Sequence, residues 1–207
     1  MFAYCNNNPV DNMDASGKMM SCCQSTYELE KGCGGFELIN GQGLEPYNSM
    51  PYGISTVGFS GCESIAIYNA LILIGKACSL NTVIGYMFQS INDGGGYGLY
   101  GLGGGTCLDI ASTLTKLNVD YSWADYNTLC NVEESTVMIV GFWGKYYPFK
   151  NCDFSIPSVH TIAIQRIGGQ FVAYNRYNEY PYPYPKDTLE DIIGGEEKFF
   201  YGFIINK

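Results

Sequence analysis

The sequence predicts an α+β fold in which N-terminal helices pack on a C-terminal antiparallel sheet. Apolar residues recur at helical spacing in three segments between residues 58 and 117. From about residue 120 the chain changes to short segments rich in Val, Ile, Phe and Tyr, interrupted by Gly, Pro and Asn as strands are. A run of helices followed by a run of strands is typical of the α+β class.

Length and charge set the broad class of protein. A chain of 207 residues suits one domain, and we expect an irregular N-terminal extension over residues 1–51 followed by a single domain over 52–207. A net charge of −9 disfavours nucleic acid and anionic membrane surfaces as partners. No apolar run approaches the ~20 residues of a membrane span, and the N-terminus lacks the pattern of a Sec signal peptide. We therefore expect a cytoplasmic protein without a membrane span.

The nine cysteines do not form the pattern of a disulfide framework. Their number is odd and they are scattered through a chain that is not small, so reduced thiols are expected. Cys22, Cys23 and Cys33 provide three thiols for a zinc site, but they lack the paired spacing of zinc ligands. We expect no metal and no organic cofactor.

The segment GFSGCESIAIYNALILIGK, residues 58–76, predicts one buried helix with a cysteine in its first turn. Ser60 is a suitable N-cap, and Glu63 three residues later completes a capping box. Cys62 then lies where the helix dipole favours an anion, so its thiol is expected to be unusually acidic. The neighbouring carboxylate of Glu63 opposes this effect.

Two further helices follow this one. SLNTVIGYMFQSIND is amphipathic, with Ser79 as its cap, and TCLDIASTLTKLN begins at Thr106 with Asp109 in its first turn. The glycine-rich stretch between them, residues 94–105, contains a G-x-G-x-x-G match. Because it follows a helix rather than a strand, we predict a mobile loop that borders a cleft, with a plain linker as the alternative.

Five segments are predicted as strands of the sheet. They are DYSW, TVMIVGF, SVHTIAIQRI, QFVAYN and KFFYGFII. The three prolines of YPYPYP, residues 180–185, remove ladder donors, so this stretch is predicted as an extended connection. A short helix over residues 188–193 is predicted before the last strand.

A two-residue turn at residues 168–169 predicts a hairpin that brings two polar side chains together. With that turn, Asn175 falls opposite Ile162. Because His160 and Ile162 are two residues apart on one strand, Asn175 becomes a diagonal neighbour of His160. Its amide is then suited to hold the only imidazole of the chain towards the Cys62 thiol. The alternative is that His160 is a satisfied polar residue on a half-buried strand.

Three segments resemble parts of papain-like cysteine peptidases. GFSGCESIAIYNALILIG resembles their nucleophile helix, while GTCLDIASTLTKL and VHTIAIQRIGGQFVAYN are similar to a later helix and to the histidine hairpin of the bacteriocin-processing, double-glycine-cleaving members. The resemblance covers residues 58–207 and implies a papain-like fold. It also implies that Cys62 is the nucleophile, His160 the general acid and base, and Asn175 the orienting residue of a peptidase that needs no cofactor.

The oxyanion hole is where the chain departs from that family. Such peptidases have a glutamine shortly before the cysteine, and that position here lies near Thr56. The Cys62 amide and Thr56 are therefore the candidate oxyanion donors. Two alternatives to a peptidase acting on a peptide stay open. One is a papain-like acyltransferase of peptide or antibiotic biosynthesis, and the other is a binding module that keeps the fold without the chemistry.

The segment from Glu28 to Gly35 resembles a leader peptide of the double-glycine type. Leu29 would anchor it, and Gly34 with Gly35 would enter a narrow cleft. The resemblance predicts removal of residues 1–35 by the chain's own or a related site. Coincidence in a glycine-rich extension is the alternative.

Overall fold

The computed structural model describes residues 36–94, 104–146 and 156–206. The first half of this part is mainly helical. Its elements are β1 (Pro51–Tyr52), β2 (Ser55–Thr56), α1 (Val57–Ser60), α2 (Cys62–Leu73), α3 (Leu80–Asp93) and α4 (Cys107–Lys116). Strands β1 and β2 form a small antiparallel pair of their own.

The second half forms an antiparallel sheet. Its elements are β3 (Tyr121–Trp123), α5 (Tyr126–Cys130), β4 (Val137–Tyr146), β5 (Ile156–Ile167), β6 (Gln170–Tyr174), β7 (Tyr184–Lys186), α6 (Leu189–Ile193), a 3₁₀ turn (Glu196–Lys198) and β8 (Phe199–Ile205). Within the described residues the strand order is β3-β8-β4-β5-β6-β7, and neighbouring strands run antiparallel. The predicted α+β class is confirmed.

The sheet is covered on both faces. Helices α2, α3 and α4 pack with Ile139, Ala163 and Phe203 in one apolar cluster. The alternate residues of the same strands, such as Met138 and Ile164, form a second cluster with α5 and α6. Because successive strand residues point to opposite faces, neighbouring residues of β4 and β5 belong to different clusters.

Most predicted elements are confirmed, together with their caps. Ser79 accepts a hydrogen bond from the Thr82 amide at the start of α3, and Thr106 forms a complete capping box with Asp109 at the start of α4. All five predicted strands are present. The structure adds α1, β1, β2 and α5, and β7 begins inside the stretch predicted as an extended connection.

Helix α2 is buried along all twelve of its residues, as predicted, but its beginning differs from the prediction. Ser60 ends the preceding helix α1, and Gly61 is the N-cap of α2 without a side-chain cap. The Ser60 hydroxyl instead lies 3.2 Å from that of Ser55. The predicted capping box is therefore wrong, because the Glu63 carboxylate faces Cys62 rather than the Ser60 amide.

The predicted hairpin between β5 and β6 is confirmed. Ile167 pairs with Gln170, and both turn glycines have positive φ, 59° for Gly168 and 78° for Gly169. These angles suit the turn type that a two-residue hairpin prefers. The Glu134 carboxylate accepts hydrogen bonds from both turn amides, which holds the turn and its register in place.

Residues 36–50 contain turns but no helix or strand. They nevertheless belong to the core of the domain. Ile39 is buried, and its backbone N–H and C=O both bond the Asn69 side chain of α2 at 2.8 Å. The predicted boundary between residues 51 and 52 therefore does not separate this segment from the domain.

Within the part of the chain that the structure describes, no helix has the length and apolar character needed to cross a membrane. Three sequence predictions lie outside the described residues. They are the zinc alternative for Cys22, Cys23 and Cys33, the leader-like segment from Glu28 to Gly35, and most of the glycine-rich loop.

Candidate functional site

Cys62 is the first residue of α2 and is 7% exposed. An α-helix leaves the N–H groups of its first turn without intrahelical acceptors, so the Cys62 amide lies at the positive end of the helix dipole. The thiol donates a hydrogen bond to Glu63 Oε2 at a sulfur–oxygen distance of 3.3 Å. The nearest acid–base partner of this thiol is thus a carboxylate.

The Glu63 carboxylate is buried beneath the glycines that precede α4. Its oxygens approach Gly104 so closely that a Cβ there would lie 2.8 Å from Oε2, and the Gly105 amide bonds the carboxylate. Burial raises the pKa of Glu63 to about 7, although the amide bonds lower it. A carboxyl with this pKa exchanges its proton near neutral pH, as a general base or acid must.

Thr161 and Tyr201 approach the thiol from the sheet. Strand β6 pairs with β5 only as far as Ala163 and Tyr174, so Thr161 lies beyond that ladder and hydrogen-bonds Cys62 through its backbone and its side chain. The Thr161 hydroxyl also lies 2.6 Å from the Tyr201 hydroxyl. Burial raises the pKa of Tyr201 well above its usual value, so the pair stays neutral.

The thiol itself is not acidic, contrary to the sequence prediction. Burial, followed by the charge of Glu63, raises the pKa of Cys62 well above its usual value. The hydrogen bonds from Thr161 lower the pKa but do not offset these two effects. Cys62 is therefore a neutral thiol at physiological pH, despite its place at a helix N-terminus.

The His160 imidazole points to the face of the sheet away from α2. This orientation follows from the register of β5, in which His160 pairs with Phe142 and Thr161 pairs with Gly141. The imidazole packs edge-on against the Phe142 ring, with the ring centroids 5.7 Å apart, whereas Thr161 contacts Cys62 on the α2 side. In the described residues no hydrogen bond joins Cys62 to His160.

Asn175 does hold His160, but through its backbone. The imidazole Nε2 donates to the Asn175 carbonyl oxygen at 2.7 Å. Asn175 leaves the strand with φ of 63°, and its side-chain amide turns to Gln42, where one hydrogen bond runs in each direction at 2.7 and 2.9 Å. The predicted neighbour is thus present, while the predicted side-chain contact is replaced by a main-chain one.

Burial, and to a lesser extent the charge of Arg176, lowers the pKa of His160 to about 4, although the Asn175 carbonyl raises it. The imidazole is therefore neutral at physiological pH. Because Nε2 carries the proton, Nδ1 is an acceptor.

The predicted triad is not assembled. Cys62 and His160 are separated by strand parity, and Asn175 bonds Gln42 instead of orienting a ring towards the thiol. Thr56, the other candidate oxyanion donor, ends β2 as the partner of Pro51 and precedes α1. Of the predicted site, the structure keeps Cys62 and its amide at the start of α2.

Sequence reasoning placed the Glu63 carboxylate beside the thiol but missed it as the hydrogen-bond acceptor of Cys62, and it missed Thr161 and Tyr201 altogether. Glu63 was available as a signal, since an acidic residue follows the cysteine directly. The other two depend on sheet register and on Gly141, which leaves room for the Tyr201 ring. No local sequence pattern specifies that contact.

An exposed aromatic pair lies beside this cluster. The pairing of β4 with β8 shifts after Gly141, so that Tyr201 pairs with Gly141 while Phe199 pairs with Phe142. The extra residue, Phe200, is 50% exposed and packs on Trp143 with ring centroids 5.1 Å apart. A β-bulge often re-aims a side chain next to a functional site.

Comparison with known proteins finds no matching family model, no matching curated protein and no matching solved structure.

Proposed function

We propose that the chain is a papain-like domain that transfers acyl groups through Cys62, with Glu63 as its proton acceptor and donor. The observation that carries the proposal is the buried hydrogen bond from the Cys62 thiol to Glu63 Oε2. A nucleophile bonded to a base whose pKa of about 7 is matched to neutral pH is the minimum arrangement for covalent catalysis. The papain-like assignment is supported by a cysteine that opens a buried helix, followed by an antiparallel sheet.

The proposed reaction begins with the neutral thiol. Cys62 sulfur attacks a carbonyl carbon while its proton moves to the Glu63 carboxylate, and the negative charge gathers on the carbonyl oxygen. The Cys62 backbone amide, at the positive end of α2, is the proposed donor to that oxygen. Collapse breaks the bond to the leaving amine, which takes the proton from Glu63. Water or a second amine then attacks the thioester, Glu63 accepts the attacker's proton, and Cys62 regains it as it leaves.

The substrate is proposed to be a peptide or another acyl donor with a large apolar group. Phe200 packs on Trp143 and on Tyr201. The Tyr201 hydroxyl reaches Thr161, which hydrogen-bonds the thiol. Trp143 and Phe200 are both exposed, so they provide an apolar surface for such a group.

The decisive experiment measures acylation of the intact protein by an activated p-nitrophenyl ester. We expect a mass increase that maps to Cys62 and is absent in Cys62→Ser. The matched control is Cys130→Ser, which removes a half-buried thiol elsewhere in the fold. The acylation rate should rise with pH and level off above about 7, as Glu63 ionises.

The variant Glu63→Gln separates base catalysis from simple thiol reactivity. Without the base, acylation should fall by at least about 100-fold. Alkylation of Cys62 by iodoacetamide should instead become faster, because removal of the neighbouring negative charge lowers the pKa of the thiol. Acylation that is unchanged in Glu63→Gln, or that maps to another cysteine, would exclude the proposal. Glu37→Gln, at an exposed position, is the control.

A second candidate function is a binding module that has the fold without catalysis. It is favoured by the engagement of His160 with the Asn175 carbonyl and by the high pKa of the Cys62 thiol. Absence of acylation at Cys62 at any pH between 5 and 9, in a folded protein, would favour this candidate.

A further inference from the structure

The face of the sheet away from α2 carries a guanidinium held between two rings. The central carbon of Arg176 lies 4.7 Å from the centroid of the Phe142 ring and 4.5 Å from that of Tyr177. Its Nε donates to the Ile192 carbonyl oxygen at 2.5 Å. These three contacts fix the plane of the guanidinium and leave the edge with its two Nη groups for another partner.

This cation has no anionic partner in the described part of the chain. There, the ion pair between Lys116 and Asp93 is the only one, and the two Nη groups of Arg176 make no hydrogen bond. Glu179, three residues further along, is exposed and forms no ion pair with it. A half-buried charge without a counter-ion is unusual, since desolvation costs free energy that pairing normally offsets.

His160 adds an acceptor beside the guanidinium. Both groups contact the Phe142 ring, and Arg176 lowers the pKa of the imidazole. With Nε2 donating to Asn175, the Nδ1 lone pair is the remaining polar atom of the ring. The ring therefore responds to any change of charge at Arg176.

Four tyrosines form an aromatic surface that begins at Arg176. We call them the tyrosine cluster: Tyr177, Tyr180, Tyr182 and Tyr184. Successive rings meet edge to face at centroid distances of 5.3 to 6.5 Å. The first three are exposed large side chains. Lys186 lies over the Tyr184 ring, with its amine 4.9 Å from the centroid, so cations stand at two points of the cluster.

We propose that Arg176 and the tyrosine cluster form a binding site for an organic oxyanion, namely a carboxylate or a phosphate monoester attached to a planar apolar group. The guanidinium pairs with the oxyanion through its open edge, and the planar group packs on the exposed tyrosine rings. The site lies on the opposite face of the sheet from Cys62, so it stands or falls independently of the proposed acyl transfer.

The chain contains one histidine, which gives the test a single NMR signal to follow. Benzoate, phenyl phosphate, acetate and inorganic phosphate are titrated at constant ionic strength, with chloride as the reference salt. We expect a saturable shift of the His160 signal with the two aromatic anions and a weaker one with the other two. The pKa of His160 should rise on saturation, because the bound anion offsets the charge of Arg176. Comparison of benzoate with phenyl phosphate distinguishes carboxylate from phosphate as the preferred group.

Arg176→Gln should weaken binding by at least about tenfold, the loss expected for a charge-assisted hydrogen bond. Arg176→Lys keeps the charge without the planar pair of donors and should bind with intermediate affinity, which also keeps the test valid if the glutamine variant does not fold. Arg166→Gln is the matched control, since Arg166 stacks on the Phe171 ring at 4.2 Å and also donates to a backbone carbonyl. The proposal is overturned if no aromatic anion gives a saturable shift, or if the Arg176 and Arg166 variants bind equally well.

Discussion

At the scale of single residues, Gly141 has an effect that no side-chain contact reveals. Its Cα faces the ring of Tyr201 so closely that a Cβ would fall inside the van der Waals surface of the ring. The absent side chain lets Tyr201 lie flat over β4 and place its hydroxyl 2.6 Å from that of Thr161. A glycine at this position of a central strand is therefore required by packing.

Gly141→Ala should destabilise the fold by roughly 1–3 kcal/mol, the usual cost of overpacking a core site. It should also displace Tyr201 from Thr161. Urea unfolding measures the first effect. Gly144→Ala in the same strand is the control, because the nearest atom to a Cβ there is the Ser158 carbonyl oxygen at 3.8 Å. Equal stability of the two variants would contradict the role given to Gly141.

The residues of the candidate site show where sequence reasoning reaches its limit. Cys62 at the start of a buried helix follows from local apolar spacing, and Asn175 as the neighbour of His160 follows from a two-residue turn. Which face of the sheet carries α2 is a tertiary property, however. The prediction put His160 on that face, and the structure puts Thr161 there. A period of two identifies pairs of residues on one face without saying which face meets a given helix.

At the scale of elements, helix starts are predictable where the cap is local. In α3, α4 and α6 the residue before the helix accepts a hydrogen bond from an amide of the first turn, and each of these caps is visible in the sequence. Helix α2 lacks such a cap because Ser60 already belongs to α1. The Gly61 amide bonds the Val57 carbonyl oxygen, which ends α1 at Ser60.

Thr106→Ala tests the strongest of these caps. The Thr106 hydroxyl accepts from the Asp109 amide, while its own amide and hydroxyl both donate to the Asp109 carboxylate at 2.7 Å. Loss of the hydroxyl should cost about 1 kcal/mol of unfolding free energy. Chemical denaturation provides the measurement. Thr106→Ser keeps the oxygen and should retain most of the stability; an equal loss in both variants would point to the methyl group instead.

At the scale of the whole molecule, the sheet separates two buried titratable groups of opposite behaviour. Burial raises the pKa of Glu63 from 4.5 to about 7. Ionisation of this carboxyl therefore destabilises the folded state, and the stability of the fold falls as pH rises from 4.5 to 7. Burial lowers the pKa of His160 to about 4 from 6.5, so the fold is penalised as this group gains its proton, and stability falls as pH drops from 6.5 to 4. The two effects oppose each other between pH 4.5 and 6.5.

Neutral variants should reveal each effect by itself. The stability of Glu63→Gln relative to wild type should increase as pH rises from 4.5 to 7. The stability of His160→Gln relative to wild type should decrease as pH rises from 4 to 6.5. Each difference should reach roughly 3 kcal/mol at most, in proportion to the size of the pKa shift. Thermal or urea unfolding across this pH range measures both, and parallel curves for a variant and wild type would exclude a buried, shifted group.

The α+β class and the coverage of the sheet on both faces depend on features spread over the whole chain. The uninterrupted apolar run VMIV in β4 is typical of a strand buried on both sides. The short helices α5 and α6, which cover the second face, are five residues each and give little periodic signal. Their burial is decided by contact with the sheet, which local periodicity does not encode.

The turn at residues 168–169, held by Glu134, fixes the face of the sheet on which each side chain of β5 lies. One residue inserted into β5 next to this turn would move every side chain of β5 that precedes the insertion to the opposite face of the sheet. His160 would turn towards α2, while Ile162 and Ile164 would leave the second apolar cluster. A thiol–imidazole contact, in addition to the thiol–carboxylate pair within α2, is therefore one residue of strand register away. The buried isoleucines oppose that exchange, so the step from one chemistry to the other requires repacking of a core.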